Sequence, residues 1–239
     1  MSNAMMSISG TLVLLLAVGV VIGLLDRRHF GWRWLFVALA LVLFNDLALT
    51  RAYGLMPQVL PEATLNWQGK FLALGLSLLI AAHPAFGWRR VGLTLAHEPG
   101  SLHSAGPIAL LYVTFFLALA FAFVGEPASR EDIAFQLTMP GLEEEIFYRG
   151  ILLFALDRAF TGRVRFLGID WGWGAVLSSA LFGLTHAFGY SSGGFTFDAM
   201  TMALTGIPSF LAVWVRVRTG SLLLPILMHN AGNTLMTAV

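Results

Sequence analysis

Acidic, basic and imidazole side chains are scarce in this chain, and the few that fall inside its apolar stretches are the ones able to do chemistry. One stretch reads Gly141-Leu142-Glu143-Glu144-Glu145-Ile146-Phe147-Tyr148-Arg149, a second Phe182-Gly183-Leu184-Thr185-His186, and a third His229-Asn230-Ala231-Gly232-Asn233. An ionisable group at bilayer depth is costly unless it is paired or faces water, so each is a functional hypothesis by default. On a helix Glu145 and Arg149 stand at i, i+4 with the acid first, the favoured order for an ion pair. Glu144 points about 100° away from Glu145, which leaves it without that counter-charge and free to face a cavity. His229 and Asn233 are again i, i+4 on one face, and Gly232 allows another helix to come close. Three helices thus each offer a polar tooth pointing inward. The rise of a helix puts His229 about 12 Å from the inner end of its span and Glu144 several Å below the outer surface, compatible depths for one cavity. Taken singly, these residues have plainer readings: Glu145 with Arg149 as a structural pair, a lone histidine as a partner for a neighbouring carbonyl. Their conjunction is stronger than its parts.

The elements that must position these residues follow from composition. Of 239 residues, 57% are hydrophobic and 11% charged, against roughly 25% charged in an ordinary soluble domain. With a mean hydropathy of +0.78, this excludes a soluble globular enzyme, a disordered chain and a coiled coil. A net charge of +1 provides no field for phosphates, so no nucleic-acid partner is expected. Cysteine is absent, which leaves carboxylate, imidazole and hydroxyl groups for any catalysis. The expected fold class is all-α: a polytopic bundle of transmembrane helices in contact with the lipid bilayer. A hydrocarbon core about 30 Å thick needs about 20 apolar residues per helix. Eight stretches qualify, at 8–25, 33–50, 65–83, 107–124, 141–158, 171–188, 198–215 and 221–238. Lys70 interrupts the third and the acidic run the fifth. Pro140 suits the first turn of that fifth helix, with the carboxylates at the positive end of its dipole. Asn45 and Asp46 in the second span either line the cavity or bond across helices. His29, His83, His97 and His103 read as interfacial.

Basic residues set the orientation, because Lys and Arg are retained in cytoplasmic loops. Arg27, Arg28 and Arg33 follow the first span, Arg89 and Arg90 the third, Arg158, Arg163 and Arg165 the fifth, and Arg216 and Arg218 the seventh. The opposite connections carry only Arg51 and Arg130, beside Glu62, Glu126, Glu131, Asp132 and Asp198. Both termini are therefore expected outside a cytoplasmic membrane, bacterial or archaeal. Residues 1–4 read as the remnant of an expression tag and 5–239 as a single domain, with Met5 as the native start. The Gly189–Gly194 segment reads as a flexible loop after His186, equally an ordinary turn or a gate for substrate.

Glu144-Glu145 with Arg149 forms EExxxR, Phe182 with His186 forms FxxxH, and His229 with Asn233 forms HxxxN. In this order and in separate apolar helices, they resemble the CAAX prenyl protease and bacteriocin-processing family of glutamate-dependent intramembrane endopeptidases. The resemblance covers roughly residues 85–239, including Trp88-Arg89-Arg90; the first spans are only generically similar. Glu143 shifts the acidic run by one, but only Glu144-Glu145 puts Arg149 at the right spacing. The resemblance implies that Glu144 is the general base that activates water, that His186 holds this water, and that His229 and Asn233 stabilise the oxyanion. Glu145, Arg149 and Phe182 support the site. It implies a membrane-anchored protein or peptide as substrate. The outward orientation read from the arginines suits C-terminal processing or sorting of exported proteins, cleaved near the outer boundary.

No cofactor is expected. If zinc were bound, Glu144, His186 and His229 would be its ligands, but HExxH, the usual helical zinc pair, is absent. GxSxG and GxGD, which would point to rhomboid or presenilin-like proteases, are absent too. Two alternatives remain open from the residues alone. Buried Glu, His and Arg also build proton relays in small coupled transporters, although the inverted repeats and broken helices of such carriers do not appear. A non-catalytic scaffold for membrane peptides would keep every motif residue.

Overall fold

The helix that carries the acidic run starts earlier than its apolar stretch suggests. In the computed structural model, which describes residues 2–125 and 127–239, it begins at Arg130. The signal for that start is a capping box: Ser129 Oγ accepts from the Asp132 N–H at 3.1 Å, and the Asp132 carboxylate accepts from the Ser129 N–H at 2.8 Å. Pro140 therefore lies inside the helix rather than in its first turn, and the three glutamates lie at its far end. The expectation that they profit from the N-terminal dipole is corrected accordingly. Glu126, assigned above to an outer connection, and Met1 lie outside the described residues.

The fold is all-α. In chain order the helices are α1 (Asn3–Leu25), α2 (Trp32–Thr50), α3 (Trp67–Ala82), α4 (Ser101–Ala122), α5 (Arg130–Glu145), α6 (Leu153–Ala159), α7 (Trp173–Ala187), α8 (Ala199–Thr219) and α9 (Leu223–Ala238). A π-helical segment, Ile146–Leu152, joins α5 to α6. Each expected span coincides with one of these helices or helix runs. Among the described residues four of them, α1, α2, α4 and α8, are long and apolar enough to cross a membrane by length and composition, and α3 is apolar but shorter. Two small antiparallel hairpins complete the chain, β1 (Val164–Phe166) with β2 (Ile169–Trp171), and β3 (Phe188–Ser191) with β4 (Gly194–Phe197).

The chain divides into two compact units, Met1–Phe44 with Leu152–Val213, and Asn45–Ile151 with Trp214–Val239. In the first, α7 packs against α1 and α6, and α1 also meets β3. The turn after α1 is tied to the end of α6: Gly31 N–H donates to Ala159 O at 2.8 Å, and Phe30 stacks on Phe160. The segment read as a flexible loop is an ordered hairpin. Its two turn residues, Ser192 (φ 50°) and Gly193 (φ 83°), both take the left-handed conformation of a tight hairpin turn. Phe188 and Phe195 stack across the two strands at 5.2 Å, and a Cβ at Gly10 of α1 would press on both rings. The Tyr190 N–H donates to Ser7 Oγ at 2.8 Å.

In the second unit α5 packs on α3 and α9, and α9 on α4. The loop after α3 meets the connection before α9: Glu98 N–H donates to Thr219 O, and Leu222 N–H to Gly92 O. At the start of α5, Glu131 accepts from the N–H groups of Thr64 and Leu65 and from Trp67 Nε1. Those bonds to its charged form hold the Glu131 carboxyl below the usual carboxylate range.

Candidate active site

Within the second unit, the acidic run of α5 is built into a buried ion network. Lys70 of α3 reaches it: its Nζ lies 2.7 Å from Glu143 Oε2 and 2.6 Å from Glu144 Oε1. The close approach of α2 and α3 puts that lysine in place. Gly69 sits where a Cβ would run into the Leu49 carbonyl, and Asn66, which caps α3, donates to the same carbonyl at 2.8 Å. Asn45 of α2 donates to Glu143 Oε1 at 3.2 Å, so both oxygens of Glu143 are held. Of the two readings left open for Asn45, the structure takes the bond across helices. The expectation that Glu144 lacks a counter-charge is corrected by Lys70, a partner supplied from another helix and so invisible to spacing along α5.

Glu145 and Arg149 form the i, i+4 pair, Oε1 to Nη1 at 3.0 Å. Glu145 Oε1 also lies 2.7 Å from His229 Nδ1. A carboxylate accepts, so Nδ1 carries the proton of that bond and the ring is fixed with Nε2 toward Glu144, 3.7 Å from its Oε2. The three consecutive acids end up in different surroundings. The Glu143 and Glu145 side chains are 1% exposed, whereas Glu144 keeps 15%. The π-helical segment starts directly after them, and such segments recur at functional sites because they re-aim side chains that a regular helix would stack.

Asn230, next to His229, was not singled out by its spacing, yet it joins α9 to α5. Pro140 has no N–H and displaces the carbonyl one turn before it, which opens the helix ladder. The Asn230 side chain fills the gap, accepting from the Gly141 N–H at 2.7 Å and donating to Thr138 O at 3.2 Å. Asn233 Nδ2 donates to Gln136 Oε1 at 3.1 Å. Gly232 lies against Phe116 and Tyr112 of α4, with 3.1–3.2 Å left for a Cβ, the close helix approach read from the sequence.

His186 and Phe182 belong to the first unit, on the last turns of α7. His186 Nδ1 lies 2.7 Å from the Phe182 carbonyl, and the two rings lie 4.7 Å apart. The carbonyl accepts, so this bond too selects the tautomer with the proton on Nδ1. Among the described residues no group of three or more His, Asp or Glu side chains is placed to hold a metal ion.

An all-α bundle with membrane-length apolar helices and a buried carboxylate–imidazole–cation network defines a class, a membrane protein with the groups for acid–base chemistry. Residues 131–235 match the family model described as Type II CAAX prenyl endopeptidase Rce1-like. The match spans all three motifs, agrees with the family resemblance they carry, and supports a membrane endopeptidase of the CAAX-protease type in general. Lys70 and Asn45 lie upstream of it. No curated protein and no solved structure matches the chain.

Proposed function

We propose that the protein is a glutamate-dependent intramembrane endopeptidase in which Glu144 is the general base. The observation that carries this reading is the contrast among three adjacent carboxylates: Glu143 and Glu145 are sealed, and Glu144 keeps accessible surface. Glu144 takes a proton from water as the water oxygen attacks the peptide carbonyl carbon, and returns it to the leaving amide nitrogen. The motif resemblance gives His186 the role of holding a water. His229 and Asn233 stabilise the oxyanion.

The role of His229 has a condition. Its Nδ1 proton is engaged by Glu145, so Nε2 donates to an oxyanion only when the ring is an imidazolium. Catalysis in this reading needs no metal. The substrate is a membrane-anchored protein or peptide. The arginine distribution turns the site outward, which favours exported proteins with C-terminal sorting signals over lipidated tails presented from the cytosol.

The test uses the full chain in vesicles with a single-span reporter protein. Glu144→Gln should abolish cleavage without loss of thermal stability, and wild-type activity should survive chelators. A Glu144→Gln protein that still cleaves would overturn the assignment.

A further inference from the structure

Lys70 is a buried cation that no motif of the chain contains. Burying an ammonium is expensive, and well-packed apolar residues commonly replace a buried ion pair without loss of stability, so mere packing of α3 on α5 does not call for it. One carboxylate would also be enough to neutralise it. Lys70 instead touches two, and they are not equivalent. Glu143 is fixed from both sides, Oε1 by Asn45 and Oε2 by Lys70, and is buried. It serves as the anchor. Oε1 of Glu144 accepts from Lys70, and its Oε2 lies 3.7 Å from His229 Nε2.

We propose that Lys70 is a positioning residue of the active site: anchored on Glu143, its ammonium holds Oε1 of Glu144 and so presents Oε2 toward His229. This rests on the reading of Glu144 as the base. Two carboxylates one residue apart on a helix normally diverge, and a shared ammonium draws them to one point, which fixes the rotation of the Glu144 side chain. A base held in one orientation loses little freedom when water and substrate arrive. The chain positions are also informative. Lys70 is separated from its two partners by 73 and 74 residues, so α3 and not the motif helix decides which oxygen faces the chemistry.

The experiment has one readout that needs no substrate and one that does. A hydrophobic carbodiimide, dicyclohexylcarbodiimide, is added to the full chain in vesicles, and labelled glutamates are located by peptide mass spectrometry. A carboxyl group released from its ammonium becomes a target for this reagent, so Lys70→Met should raise labelling of Glu144 well above wild type, and Lys70→Arg should restore the low level. Lys70→Met with Glu143→Gln removes both buried charges and keeps the test available if the single variant folds poorly; it too should label at Glu144. Equal Glu144 labelling in wild type and these variants overturns the proposal. With the single-span reporter, Lys70→Met should lower kcat about 100-fold with KM nearly unchanged, the loss expected for a misplaced catalytic group, and Lys70→Arg should recover part of it. A rise in KM alone, with kcat intact, also overturns it. If Glu144→Gln still cleaves the reporter, the base assignment fails separately, whatever the labelling shows.

Discussion

Glu143, Glu144 and Glu145 are consecutive and chemically identical, and only their neighbours separate them. Glu143 is tied to Lys70 and Asn45, Glu145 to Arg149 and His229, and Glu144 shares Lys70 while keeping accessible surface. The partners of Glu145 are themselves buried, so its loss leaves charge behind in a medium that solvates charge poorly. Glu145→Gln should therefore destabilise the protein by roughly 3–5 kcal/mol, read from unfolding in mixed micelles. Activity should fall in step with folded fraction, in contrast to Glu144→Gln, which should lose activity at full stability. Equal stability of the two variants would contradict the division of roles. The Glu145–Arg149 pair was legible because i, i+4 spacing is a local rule. Lys70 was not, since a lone lysine in an apolar run reads as a defect of the span until the facing helix is known. What could have flagged it is the rule applied to the glutamates themselves, that an ion at bilayer depth needs a partner.

At the scale of elements, α5 and α9 are joined through a break in a helix. Pro140 removes a donor from the α5 ladder, and Asn230 supplies both an acceptor to Gly141 and a donor to Thr138. Asn230→Ala would strand a buried N–H and should cost roughly 1–3 kcal/mol. Pro140→Ala restores the missing donor, so the two substitutions should be non-additive by about 0.5–3 kcal/mol in a double-mutant cycle, and simple additivity would show that the side chain does not serve the break. The sequence did place helices at every apolar stretch, because long apolar runs have few other solutions in a bilayer. It misplaced the start of α5, where hydropathy was followed and the Ser129–Asp132 capping box upstream of Pro140 was not. It also read Gly189–Gly194 by composition alone, whereas Ser192-Gly193 is a two-residue turn between strands that stack Phe188 on Phe195.

For the whole molecule the open variable is direction. Arginine counts predict that the connection before α5 is outside and the one after α6 inside. The natural absence of cysteine makes single labels clean. Ser129 caps α5, so the exposed Pro127 is the better outer probe, paired with exposed Thr161 as the inner one. An impermeant thiol reagent on intact cells should label Pro127→Cys and spare Thr161→Cys. The reverse pattern would turn the site toward the cytosol and bring lipidated C-terminal tails back as substrates.

Lys70 and Asn45 lie outside residues 131–235, the segment that matches the family, yet they ligate the carboxylates inside it. The motifs are therefore not a portable module. A chimera that joins the motif-bearing half of this chain to three first helices with no cation opposite Glu143 would receive the acids without Lys70, and should fold and turn over only once a lysine is restored there. Swapping either half alone thus cuts the acidic run off from a partner 73 and 74 residues away in the chain.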